Sequence, residues 1–293
     1  MSENEVIVED QTIERLEPPK AGQKAIYKNC TIQNMVWKDL EIEGELILQG
    51  CTIQKLSFKD LVFTESFQAI NSSINFCYWK NIQFQNRCVC KETIFKHGIQ
   101  VLQVQFQWGC DFQETVFQKD ARIDDSEFLG HTKFDKIRAQ QRFEATRCKF
   151  GSPNPKQNWF RLLFSNARFE HIVIFQDCSF LFPTNFKRAR FEEEVQFIAP
   201  NFYDLVSFEN ARFSDLLRLK NIKRLSPKAY FHFGGIQLEK FCANHEELSL
   251  FLLCLAPDQY SAMLKQILEA KEKYAEKHPP EVIELAKKNL RLA

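Results

Sequence analysis

The residue types in this chain best suited to chemistry are ten cysteines, six histidines, an acidic cluster and a spaced set of arginines. Cys88 and Cys90, with His97 nearby, suggest a metal ligand set. Their CxC spacing, with no second cysteine pair close by, does not fit the CxxC-like spacing of zinc sites. His97, His131, His171, His232, His245 and His278 show neither HxH nor HxxxH. Asp120, Asp124 and Asp125 form the nearest group of carboxylates, and such a cluster on an outer face is the least that a carbohydrate-active enzyme would need. No GxSxG, P-loop or GxGxxG occurs, and nine glycines in all leave little phosphate-cradling backbone. The expectation is therefore a non-enzymatic chain with no catalytic residue, no cofactor and no metal.

The elements that must carry these residues are set by the phenylalanines. Phe164, Phe169, Phe175, Phe180, Phe186, Phe191, Phe197, Phe202, Phe208 and Phe213 follow one another in alternating steps of five and six. A small residue sits two before every second one: Ala167, Cys178, Ala189, Pro200 and Ala211. A bulkier residue sits two before the others: Leu162, Val173, Thr184, Val195 and Val206. Inward residues at i−2 and i mark a short strand. On an α-helix, steps of five and six would rotate by roughly 140° and 240° and scatter the rings around the cylinder, so the helical reading fails.

The same beat runs upstream through Phe134, Phe128, Ile123, Phe117, Phe112 and Phe106. It continues through Val101, Phe95, Cys90, Phe84 and Trp79, then through Phe63, Phe58, Ile53, Ile47, Ile42, Trp37 and Ile32. The predicted fold is mainly β: a solenoid of about 22 residues per coil, about nine coils over residues 30–220, and roughly 40 Å long at ~4.8 Å per stacked strand. Gly151–Asn158 reads as a surface loop.

Phase then sorts the chemical residues. Cys30, Cys51, Cys77, Cys110, Cys148 and Cys178 lie two before an apolar centre, and Cys88 and Cys90 fall on the two beats. They fill the slot that alanine fills elsewhere, as small buried hydrophobes. Arg168, Arg190 and Arg212, each 22 apart, point outward and should stack in one column. Glu170 and Glu192 share that spacing and can offset them. The column is either a solvated charge ladder or a basic stripe that grips an acidic partner surface, widened by Lys187 and Arg188.

The pattern of small residue, any residue, large centre resembles the pentapeptide repeat family over roughly residues 30–220. It is strongest in Asn166-Ala167-Arg168-Phe169 and Asn210-Ala211-Arg212-Phe213. The family favours leucine at the centre, where this chain uses phenylalanine. The resemblance implies a right-handed quadrilateral β-helix. It also implies an alternative function, because some members imitate B-DNA and protect or inhibit topoisomerases. Mimicry needs a strongly negative surface, and a net charge of +1 with an arginine column opposes it.

The ends and composition complete the organisation. Residues 1–25 are expected to be an acidic, disordered tail, 26–222 the β-helix, and 223–293 a helical cap or dimerisation segment. In the last part Asn244 and Glu247 resemble a capping box, and Tyr260, Leu264 and Ile267 fall on one helical face. That face would cover the last coil or join two copies, and it is the second expected partner-binding surface beside the arginines. No 18-residue apolar run exists, so no membrane span is expected. The N-terminus lacks a signal-peptide core, which makes a cytoplasmic location the expectation, with signal-free secretion left open. The partner is expected to be another protein rather than nucleic acid.

Overall fold

The computed structural model describes residues 4–152, 161–226, 228–229 and 231–242. Every strand pairing among them is parallel, and each strand pairs with its equivalents one coil before and one coil after. The result is a column of about ten coils with four faces per coil. The first face is a ladder of eleven strands that begins at Glu5–Glu9 and Lys24–Lys28 and ends at Val206–Ser207 and Phe231–His232. The other three faces are joined into one sheet, because long strands such as Thr31–Ile42, Thr52–Phe63 and Ser73–Phe84 run around corners without a break.

The interior is built from stacked rings. Phe164, Phe169, Phe175, Phe180 and Phe186 are wholly buried, and the rest of the series to Phe213 is at most 3% exposed. On the first face Phe134, Phe164, Phe186 and Phe208 stack in succession with centroids 4.8–4.9 Å apart and planes within 7°. On the fourth face Phe63, Phe84, Phe106, Phe128, Phe150 and Phe180 do the same at 4.8–5.4 Å. The ring spacing equals the strand spacing because each ring sits on its equivalent one coil below. Where the beat places small residues, at Ala139 and Ala145, Phe143 swings into the space and meets Phe164, Phe169 and Phe175 at 6.0, 5.4 and 6.1 Å.

The corners are set by backbone conformation. Non-glycine residues with φ near +50° recur at Glu92, Gln103, Glu114, Asp125, Lys136 and Arg147, then at Asn166, Asp177, Arg188, Ala199, Asn210 and Asn221, at eleven-residue steps within each run. Two opposite corners of every coil therefore turn through a left-handed residue. Most of the eighteen such positions are Asn or Asp, the types that tolerate this region best after glycine. The buried residue of the small slot always follows: Ala167, Cys178, Ala189, Pro200, Ala211.

Three expectations are corrected. Lys24 pairs with Glu45, and Phe67 with Cys88, so the early coils hold 21 residues rather than 22. The beat therefore slips, and Leu46 and Leu48 are buried where Ile47 was expected. Residues 1–25 are not a tail throughout: Glu5–Glu9 and Thr12–Arg15 pair with Lys24–Lys28 and Thr31–Asn34, and Trp37 Nε1 donates to the Leu16 carbonyl at 2.8 Å. Strands also continue past residue 222, at Lys223–Arg224, Phe231–His232 and Gln237–Cys242. Val206 pairs with Phe231, so the break after Leu225 is a lengthened corner inside the solenoid. The expected loop 151–158 falls where Thr132 pairs with Leu162, 30 residues on, so the column absorbs an insertion without losing register. Its residues 153–158, and the proposed helices with Tyr260, Leu264 and Ile267, lie outside the described residues.

Candidate functional site

The outward position of the second face carries the arginines. Arg138 pairs in register with Arg168, Arg168 with Arg190, and Arg190 with Arg212. All four are exposed. The column holds one more arginine than the 22-residue spacing indicated, because the insertion displaces Arg138 from that count. Each sits between two inward residues, Ala167 and Phe169 in the case of Arg168, so strand alternation alone fixes the direction of the side chain.

The charge balance changes along the column. Glu170 accepts from Arg138 Nε at 2.7 Å and lies 3.2 Å from Arg168 Nε, and Glu192 lies 3.6 Å from Arg168. Among the described residues no ion pair forms at Arg190 or Arg212. Around these two opens a groove of about 580 Å³, lined also by Asn166, Arg168, Arg188, Asn210 and Gln237. The carboxylate offset expected from Glu170 and Glu192 thus serves one end of the column and leaves the other end cationic. Like charges stacked at about 4.8 Å repel by roughly 1 kcal/mol per neighbouring pair in water, and an incoming anion relieves that repulsion.

The remaining candidates resolve as follows. Cys30, Cys51, Cys77, Cys88, Cys90, Cys110, Cys148 and Cys178 are free and buried in the core. Burial pushes the thiols of Cys77, Cys88, Cys110 and Cys178 up, and that of Cys51 to about 11. Groups so raised are neither thiolate ligands nor nucleophiles at neutral pH. Several instead donate weakly to carbonyls, as Cys178 Sγ does to Ala145 at 3.2 Å. His97 points outward, on the other side of the wall from Cys88 and Cys90. Among the described residues no group of three or more His, Cys, Asp or Glu gathers as a metal site.

The acidic cluster is occupied by arginines. Arg147 donates to Asp124 at 2.6 Å and to Asp125 at 2.6 Å and 3.0 Å, and Arg122 to Asp120 at 2.8 Å. Hydrogen bonds from Arg147 hold the Asp125 carboxyl below its usual range. A glycosidic general acid needs the opposite shift, a carboxyl kept protonated.

One feature escaped the sequence reading. Phe76 lies 57% exposed on an outer corner and stacks on His97, with ring centroids 4.4 Å apart and planes 4° apart. The only signal would have been an aromatic residue off the beat, immediately before Cys77.

Parallel strands, four faces and a filled interior define the class: a β-solenoid used as a repeat scaffold. The repeats are pentapeptide repeats, and the family model of that description matches residues 164–212 with nine copies. No curated protein and no solved structure matches the chain.

Proposed function

We propose that this chain is a non-enzymatic interaction scaffold and that its arginine column docks an acidic surface of a partner protein. The observation that carries the reading is the unpaired stretch at Arg190 and Arg212, held in register by the ladder beside a groove. A rigid column fixes the spacing of its charges before binding, so little ordering cost attends recognition. The free, buried thiols suit a reducing compartment, which supports a cytoplasmic setting. Acidic mimicry of DNA gains nothing from this face, whose exposed arginines would repel a DNA-binding surface.

The test is affinity capture from the native host with the wild type and an Arg190→Glu/Arg212→Glu variant. A reproducible partner with an acidic surface is expected. Its affinity for the variant should fall about 10- to 100-fold, and its affinity for the wild type should weaken with added salt. Recovery of no reproducible partner, or equal binding by the variant, would overturn the proposal.

A further inference from the structure

Coil length changes from 21 to 22 residues at one corner. Ile94 and Phe95 pair with Ser73 and Ile74, 21 residues back, whereas Ile99 pairs with Cys77, 22 back. The added residue enters in the turn at Lys96, His97 and Gly98. Gly98 takes φ +82°, and a Cβ there would collide with the Asp120 carbonyl. This seam borders a recess of about 660 Å³ on the outer surface, within the range of small-molecule sites.

The recess combines two chemistries. Phe76 and His97 supply a stacked, exposed aromatic platform. Lys55 is the register neighbour of Phe76 on the preceding coil, and Lys119 lines the recess from the following one. Neither lysine forms an ion pair among the described residues, whereas Arg122 is held by Asp120. The fold does not require phenylalanine at this position. The same column places Asn34 and Lys55 in the two preceding coils, so a polar residue is compatible with the corner.

We propose that this recess binds a mononucleotide, with its base stacked on the Phe76–His97 platform and its phosphate held by Lys55 and Lys119. Stacking on an aromatic side chain contributes a factor of roughly 5 to 100 in affinity and tolerates any base, and unpaired lysines beside it supply the anion contacts. The inference is independent of the arginine column, which lies on another part of the surface.

Calorimetric titration of the full chain with AMP, adenosine and ribose 5-phosphate at low salt tests it. AMP should bind with a dissociation constant on the order of 0.1 to 1 mM, and each fragment at least ~10-fold more weakly. Phe76→Ala should weaken AMP about 10-fold, Lys55→Ala/Lys119→Ala should do likewise, and Arg190→Ala should leave it unchanged. Far-UV circular dichroism confirms that the variants fold. If Phe76→Ala does not fold, the lysine variant decides the question. Absence of saturable AMP binding, equal affinity for ribose 5-phosphate, indifference to the recess variants, or loss of binding in Arg190→Ala would overturn the proposal.

Discussion

At the scale of single residues, the corners carry the strain of this fold. Ala199 occupies a left-handed position that Asp177 fills one coil earlier and Asn221 one coil later. An alanine there costs roughly 1–2 kcal/mol over a permissive residue, against about 0.5–1 kcal/mol of extra chain entropy for glycine. Ala199→Gly should therefore stabilise the protein by about 0.5–1 kcal/mol in urea denaturation. Ala211→Gly, at a buried position outside the left-handed set, should destabilise it by about 1 kcal/mol. Asn166 and Asn210 stood out in the sequence as parts of the strongest motifs, yet their backbone role was not legible. Lys136, Arg147 and Arg188 share that conformation, so residue type alone does not mark the corner. The arginine column was legible because strand alternation and repeat length together determine both direction and neighbour.

At the scale of the coil, the aromatic ladders are the main packing unit, and Phe143 shows how the ladder tolerates a change of slot. Phe143→Ala leaves its space flanked by Ala139 and Ala145, with no large side chain to fill it, and should cost about 3–5 kcal/mol. Ala145→Phe alone should overpack the same space by about 1–3 kcal/mol. The double variant restores the ring from the neighbouring beat and should recover most of the loss. Urea midpoints across the four proteins of this cycle measure the coupling. The beat was readable wherever phenylalanine marks the centre. It slipped at Ile47 because strands such as Thr31–Ile42 turn corners with no punctuating residue and in 21-residue coils. The Phe76 recess stayed hidden for the same reason: it arises from a one-residue difference between adjacent coils, which composition does not register.

At the scale of the whole molecule, coils are interchangeable units. Val173 pairs with Val195, and Phe175 with Phe197, so removing residues 173–194 deletes one full turn and joins equivalent positions. The shortened protein should keep its far-UV spectrum, lose about a tenth of its urea m-value and shorten by ~4.8 Å. An aggregated or unfolded product would show that the coils are not equivalent. The four-faced column was legible in the sequence as a period. Its extension to Glu5–Glu9 at one end and Gln237–Cys242 at the other was not, because end coils use mixed aliphatic and polar residues that break the phenylalanine rhythm.

Pairing partners in this column lie between 19 residues apart, at Glu5 and Lys24, and 30 apart, at Thr132 and Leu162. No strand waits for a distant part of the chain. A growing polypeptide can thus lay each turn upon the one just finished, with the completed part serving as template for the next. The growth front is then a fresh open edge at every stage of synthesis, and the moment of greatest exposure to misassembly is a pause between coils.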